Sequence, residues 1–327
     1  MMHHIRLIGA AAVGCFCLPT LCDAQPAANA PRVGLLAWSD CDAPDLRAGL
    51  TEVGRVPGRT IVLECRSAGG RYEGLLPAAA ELLALPVDVI VTESQPAAHA
   101  AREATRVVPI VTILSGDPVG AGLAKSLARP GGNVTGVTYY ATELTGKRLD
   151  LLLEMIPGLA RIGILTNPHV SYLPFEEDAK RAAARSGLAV VVASVTDASE
   201  LERAFRQMTL AGAQAVLLIP DLMAAYQAKR IGELARTERL PLMAWGSWFT
   251  EAGGLMAYSA DYGPLIRRLA GHVDKVLKGV PVGEVPIEQP AHFELTINAS
   301  TARELGISLP PALLARADRV IETDNPF

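Results

Sequence analysis

Residues 87–138 read VDVIVTESQPAAHAAREATRVVPIVTILSGDPVGAGLAKSLARPGGNVTGVT, and this stretch decides the fold. Three short apolar runs, Val87–Val91, Ile110–Leu114 and Val134–Val137, alternate with two segments that are long enough for helices. Short apolar runs separated by helix-length segments predict parallel strands joined by helical crossovers. Right-handed crossovers then place helices on both faces of the sheet.

Two of these runs end in a polar loop that is followed by a proline. Ser94-Gln95 precedes Pro96, and Ser115-Gly116-Asp117 precedes Pro118. Proline is tolerated in the first turn of a helix, so each loop predicts a helix N-terminus just beyond a strand. The free N–H groups of such a terminus attract anions and polar groups. Because ligands of open α/β sheets bind beyond the carboxyl ends of the strands, we expect the functional site here.

The alternation of strands and helices continues on both sides and begins again after Glu143. Further strands are predicted near 33–38, 60–64, 161–165, 189–193, 215–219, 241–245 and 255–258. This pattern predicts an α/β protein with two Rossmann-like (flavodoxin-like) parallel-sheet lobes and a ligand cleft between them. We assign residues 32–138 with about 259–279 to the N-terminal lobe, because the helix predicted at 264–277 is expected to cross back. The C-terminal lobe takes residues 139–258 and about 280–327.

Length and composition fit this architecture. The chain has 327 residues, of which 50% are hydrophobic and 5% aromatic, which is typical of a helix-covered parallel sheet. Its formal net charge is -4 and it contains no long block of lysine and arginine, which argues against nucleic acid as a partner. We expect a monomer.

The first 24 residues have the features of a secretory signal peptide. Residues 1–6 carry a positive charge, residues 7–22 carry none, and Cys22-Asp23-Ala24 offers a small-residue cleavage site. The uncharged run is short for a membrane span, which needs about 20 apolar residues. Export to the periplasm follows. A lipid-anchored form is the alternative, because residues 12–15 (AVGC) partly match a lipobox.

Export changes the cysteine count. The mature chain keeps Cys41 and Cys65, one just past the first predicted strand and one at the end of the second. Two cysteines in an oxidising compartment predict a single disulfide between them. Two unrelated free thiols are the alternative.

No catalytic constellation can be assembled from the sequence. GxSxG, Walker A and HExxH motifs are missing, and Trp38-Ser39-Asp40 stands where a Rossmann protein would have its GxGxxG loop. The histidines after the signal segment lack the spacing of metal ligands. We therefore predict a protein that is not an enzyme and has no cofactor or metal.

The few aromatic residues fall at or just beyond the predicted strand ends, where they would line a cleft between the lobes. Capping of the sheets is the alternative role. Asp117 and Asp221 are either helix N-caps or carboxylates that receive a ligand ammonium or hydroxyl. Ser94, Ser115 and Asn167 serve either turn chemistry or ligand contact. The candidate ligand-binding residues are Trp38, Ser39, Ser94, Gln95, Ser115, Asp117, Tyr139, Asn167, Tyr172, Asp221 and Trp245.

Four segments resemble a known family. They are residues 117–123 (DPVGAGL), 127–136 (LARPGGNVTG), 251–256 (EAGGLM) and 309–318 (LPPALLARAD). All four resemble the ABC transporter substrate-binding protein family that includes tryptophan-binding lipoproteins. The resemblance covers essentially the whole mature chain. It implies a periplasmic-binding-protein fold of type I, whose two lobes close by a hinge motion on a ligand.

The resemblance implies a periplasmic solute-binding component of an ABC importer, with an ABC permease in the inner membrane as its partner. Helix N-termini and aromatic walls favour a small carboxylate-bearing ligand that is amino-acid-like or aromatic. A ligand-sensing module for a membrane receptor is the alternative, and an α/β hydrolase or transferase is a weaker one. Two loops depart from the family. Residues 93–96 (ESQP) replace a Ser-Gly-Thr-Pro-like loop, and residues 244–248 (AWGSW) replace a Tyr-Pro-Phe-Arg-like loop.

Overall fold

The computed structural model describes residues 29–139, 144–169 and 171–322. The predicted signal peptide, residues 1–24, lies outside this range, as do residues 140–142 at the predicted junction of the lobes. Within the described range, strands and helices alternate along most of the chain and the strands form two sheets. The predicted architecture of two α/β lobes is confirmed.

The first sheet contains, among the described residues, five parallel strands. They are β1 (Arg32–Ala37), β2 (Val62–Ser67), β3 (Val89–Thr92), β4 (Ile110–Leu114) and β5 (Val134–Thr138). Their order is β2-β1-β3-β4-β5, which is the flavodoxin-like doubly wound arrangement. Strands β3, β4 and β5 are buried at every position, as expected for a sheet covered on both faces.

Helices α1 (Pro44–Glu52), α2 (Leu75–Leu83) and α3 (Gln95–Ala104) follow β1, β2 and β3. The helix predicted behind Asp117 does not form, so this prediction is wrong: residues 118–122 make turns, and no helix begins before β5. Gly120 and Gly122 interrupt the segment, and Gly122 adopts the left-handed conformation with φ of +70°. Glycine in a helix interior is unfavourable, which explains why the segment remains in turns.

The second sheet contains seven strands in the described part of the chain. They are β6 (Arg161–Thr166), β7 (Ala189–Ser194), β8 (Ala215–Leu218), β9 (Leu242–Ala244), β10 (Met256–Ser259), β11 (Glu294–Asn298) and β12 (Arg319–Ile321). Their order is β12-β11-β10-β9-β8-β6-β7, in which β6 to β10 repeat the order of the first sheet. Strands β10 and β11 pair antiparallel. The apolar runs of the sequence predict β6 to β10, but not β11 and β12.

The remaining described helices are α4 (Leu144–Met155), α5 (Leu173–Arg185), α6 (Leu201–Leu210), α7 (Leu222–Tyr226), α8 (Ala228–Thr237), α9 (Ser247–Glu251), α10 (Tyr262–Leu277), α11 (Ala299–Leu305) and α12 (Pro311–Leu314). Helix α10 packs against α1 and against β3, β4 and β5, in the lobe to which the sequence analysis assigns it. Helix α10 thereby covers β4 and β5, which are joined by a segment without a helix.

The chain that follows α10 runs along the edge of the first sheet before it enters the second. The N–H of Glu288 donates to the carbonyl of Gly136 at 2.9 Å, and the N–H of Thr138 donates back to Glu288 at 2.9 Å. Residues near 288, which the sequence analysis placed in the C-terminal lobe, therefore contact β5. The lobe boundaries stay predictions.

Cys41 and Cys65 form a disulfide, with their Cα atoms 5.9 Å apart, as predicted. It ties the loop after β1 to β2, which is the neighbouring strand at the edge of the first sheet. In the part of the chain that the structure describes, no helix combines the length and the apolar character that crossing a bilayer requires.

Candidate functional site

A cavity of about 400 Å³, called the central cavity below, lies between the two sheets. Its walls come from residues that follow β3, β4 and β5 of the first sheet and β6, β8 and β9 of the second, together with the starts of α1 and α10. The carboxyl ends of strands from both sheets therefore meet at one place, as the fold requires. The predicted site residues that line it are Ser94, Gln95, Ser115, Tyr139, Tyr172, Asp221 and Trp245.

Four aromatic rings form one wall of the central cavity. Tyr139 and Trp245 are stacked, with ring centroids 5.9 Å apart and planes at 16°. Trp248 meets Trp245 edge to face at 5.0 Å, and Tyr262 meets Tyr139 edge to face at 6.0 Å. Edge-to-face and offset pairs are the favoured aromatic geometries, so the wall is mutually supported. Such a surface suits the flat or apolar body of a ligand.

Asp221 supplies a buried carboxylate to the central cavity. It follows β8 and caps α7: Oδ1 accepts from the N–H of Ala224 at 2.6 Å. The other oxygen, Oδ2, accepts from the hydroxyl of Tyr72 at 2.5 Å. The side chain is only 4% exposed, and this burial raises the pKa of the Asp221 carboxyl to about 6 although its hydrogen bonds lower it. Asp221 is thus both an N-cap and a wall of the cavity.

Tyr72 reaches this carboxylate from the other sheet. It begins a short 3₁₀ helix, Tyr72–Gly74, between β2 and α2. Besides Asp221, its hydroxyl contacts that of Tyr172 at 3.3 Å, and its ring stacks on His169 at 4.6 Å with an interplanar angle of 24°. The hydroxyl of Tyr172 in turn accepts from the N–H of Leu222 at 3.2 Å. Burial is the largest cause that raises the pKa of Tyr72, so its phenol stays protonated and remains a donor.

Glu93 is a second, partly buried carboxylate in the wall. Burial, and then the negative charge of Asp40, raise the pKa of the Glu93 carboxyl to about 7. Its backbone carbonyl accepts from the hydroxyl of Tyr262 at 3.0 Å, which joins β3 to the start of α10.

The donors at the start of α3 come mainly from side chains. Ser94 caps the helix, since its hydroxyl accepts from the N–H of Ala97 at 3.3 Å, and Pro96 has no N–H. Gln95 is buried, and its Oε1 accepts from the hydroxyl of Ser115 at 3.2 Å. This bond leaves the Gln95 amide N–H groups for other acceptors. The indole N–H of Trp245 is buried and has no hydrogen-bond partner among the described residues.

Four predicted site residues do not line the central cavity. Trp38, Ser39 and Asn167 line a neighbouring cavity that Tyr72 also lines, and the ring of Trp38 packs on Tyr72 at 4.6 Å. Asp117 is exposed, and its carboxylate accepts from the N–H of Val119 at 2.8 Å. Because no helix follows Asp117, the helix N-terminus that was expected to supply N–H donors there is not formed.

One basic side chain lies behind the aromatic wall. Arg148 of α4 is buried, its Nε donates to the carbonyl of Tyr258 at 2.9 Å, and its positive charge opposes the rise that burial gives to the pKa of Tyr139. No group of three or more histidine, cysteine, aspartate or glutamate side chains in the described residues could hold a metal ion.

Sequence reasoning missed Tyr72 and Tyr226, which come from segments that carry no strand-end signal. Tyr226 ends α7 and lines the central cavity. Tyr72 lies in a loop, and its partner Asp221 is 149 positions away. The only sequence signal for Tyr72 is that it is an aromatic residue between a predicted strand and a predicted helix. Trp248 and Tyr262 follow predicted strand ends and line the central cavity, but they are not among the candidate residues.

Comparisons with known proteins agree with this geometry. A family model described as ABC transporter substrate binding protein matches residues 43–321. A relative named tyrosine-binding protein, from Clostridioides difficile, is 28% identical over 258 residues, which is 78% of this chain and 74% of the relative.

Two solved structures are similar over 89% of this chain at 25% identity. One is an ABC domain in complex with L-Trp from Streptococcus pneumonia, with a TM-score of 0.81 and 100% of that chain covered. The other is a conserved domain protein from Vibrio cholerae, with a TM-score of 0.82 and 99% of that chain covered. The matched family is one of substrate-binding proteins, which are not enzymes. This chain belongs to the ABC transporter substrate-binding protein family.

Proposed function

We propose that this protein is the periplasmic solute-binding component of an ABC importer and that its ligand is an amino acid with an aromatic or apolar body. The observation that carries the proposal is Asp221, a buried carboxylate beside a wall of four aromatic rings. A buried carboxylate is costly unless a positive group pairs with it, and the ammonium of an amino acid is such a group. Tyr139 and Trp245 receive the side chain of the ligand.

The ligand carboxylate binds on the side of Gln95 and Ser115. The Gln95 amide and the indole N–H of Trp245 are neutral donors suited to a carboxylate, and the charge of Arg148 lies behind Tyr139. The similarity to a tyrosine-binding protein and to a structure that holds L-Trp supports an aromatic amino acid.

Isothermal titration calorimetry with three related probes tests this proposal. L-tryptophan carries both charged groups, indole-3-propionate lacks the ammonium and tryptamine lacks the carboxylate. We expect L-tryptophan to bind tightest, and Asp221→Asn to weaken it towards the affinity of indole-3-propionate. Asp150→Asn, an exposed carboxylate of α4, is the matched control. If indole-3-propionate binds as tightly as L-tryptophan, the ammonium site is wrong.

The transport role has its own measurement. We expect deletion of the gene to abolish high-affinity uptake of the bound amino acid by whole cells, and the protein to be recovered as a monomer from the periplasmic fraction, beginning at Gln25. Unchanged uptake, together with loss of a response to the same amino acid, would instead favour the sensing role.

A further inference from the structure

The charges of the central cavity are of one sign. Asp45, Glu93 and Asp221 line it, and its described lining includes no lysine, arginine or histidine. Two of the three carboxylates already have polar partners within the protein. Asp45 faces Arg267 at 3.3 Å, and Asp221 accepts hydrogen bonds from Tyr72 and Ala224.

Glu93 differs from both. Within the described part of the chain its carboxylate makes neither a hydrogen bond nor an ion pair, and the charge that acts on it is the like charge of Asp40. A carboxylate that is withdrawn from water without a partner is unfavourable.

Glu93 and Asp221 reach the cavity from different sheets, since Glu93 follows β3 and Asp221 follows β8. Its charge acts on Tyr226 and Tyr262, whereas that of Asp221 acts on Tyr72 and Tyr172. Tyr262 also meets the ring of Trp248 at 5.6 Å. Tyr226, Trp248 and Tyr262 line the cavity together with Glu93, and aromatic faces attract cations, so the cavity offers a positive group both a carboxylate and aromatic rings.

From this arrangement we infer that Glu93 is a specificity-determining residue that receives a second positive group of the ligand. This rests on the proposed function, in which Asp221 holds the α-ammonium. The preferred substrates are then amino acids whose side chain ends in an ammonium or guanidinium, carried on an apolar or aromatic stem.

Two pairs of probes isolate the side-chain charge. L-arginine and L-citrulline have nearly the same shape and differ in charge, as do 4-(aminomethyl)-L-phenylalanine and 4-methyl-L-phenylalanine. We expect the cationic member of at least one pair to bind about tenfold more tightly to the wild-type protein. Glu93→Gln should bring that ratio close to one, because the amide keeps the shape and loses the charge. Asp150→Asn should leave the ratio unchanged.

The outcomes separate this inference from the proposed function. If the neutral members bind as tightly as the cationic ones, or if Glu93→Gln leaves the ratio intact, the role of Glu93 is wrong while amino-acid binding stands. If none of these probes, nor L-tryptophan, binds, the proposed function fails and this inference fails with it. The melting temperature of Glu93→Gln, measured alongside, shows that the variant is folded.

Discussion

The hydroxyl of Tyr72 lies 2.5 Å from Oδ2 of Asp221, and this hydrogen bond joins the two lobes across the cleft. Tyr72 follows β2 of the first sheet, and Asp221 follows β8 of the second. Asp221 is also the residue that we propose to hold the ligand ammonium. Lobe closure and ligand binding therefore share one carboxylate.

Tyr72→Phe tests this link. The change removes the hydroxyl and keeps the ring against Trp38 and His169. A hydrogen bond to a charged group contributes about 1.5–3 kcal/mol, so we expect amino-acid affinity to fall by about tenfold or more. Calorimetry with L-tryptophan or L-tyrosine, whichever binds the wild type more tightly, measures the loss.

Tyr258→Phe is the control, because Tyr258 packs on Phe293 and does not line the central cavity. Equal affinity of the Tyr72→Phe variant and the wild type would contradict a role of this bond in closure.

Small-angle scattering should also show a smaller radius of gyration for the wild type with ligand than without it, since the lobes close on the ligand.

Asp221→Asn should change stability in a pH-dependent manner. The carboxyl ionises near pH 3.8 when unfolded and near pH 6 in the folded protein, so between these values the folded state binds more protons. Stability therefore falls as the pH rises through this window, by about 3 kcal/mol. The amide cannot ionise, so we expect the unliganded variant to be more stable than the wild type at pH 7.5, with the difference vanishing near pH 4.

Urea unfolding of both proteins at the two pH values measures this effect. A wild type that is the more stable protein at pH 7.5 would show that the ionised carboxylate is already compensated in the empty site.

The sequence predicted strands where apolar runs end in polar loops, because burial on both faces of a parallel sheet leaves that pattern. It did not predict the absence of a helix behind Asp117. The proline there fits a helix start, but the glycines that follow it disfavour a helix. Helix α10, which is distant in sequence, covers β4 and β5 instead. Likewise, Tyr72 and Asp221 meet only through the tertiary fold. The pKa of Glu93 is a product of burial, which no local pattern encodes.

The disulfide should stabilise the mature protein. Cys41 and Cys65 are 24 positions apart, and closing a loop of this size contributes about 3 kcal/mol. We expect the double substitution of both cysteines by serine to lower the free energy of unfolding by this amount. Alkylation of the periplasmic protein without reductant should add no mass, and two modified thiols would refute the bond in the exported protein.

Gly136 should not tolerate a side chain. Its φ is +148°, and a Cβ at this position would lie 1.8 Å from the carbonyl oxygen of Thr112 on β4. Gly136→Ala should therefore cost more than about 3 kcal/mol by forcing β4 and β5 apart. Gly132→Ala is the matched control, because a Cβ there meets nothing within 4 Å. Similar urea midpoints for the two variants would contradict the packing described for β5.

A thermal-shift screen of amino acids, sugars and nucleosides tests the central claim most directly. A ligand at about 100 times its dissociation constant stabilises the folded protein by about 2.7 kcal/mol, which is a measurable shift. The account predicts that amino acids with an aromatic, apolar or cationic side chain raise the melting temperature and that Asp221→Asn loses the shift. A screen in which only sugars or nucleosides stabilise the protein would contradict it.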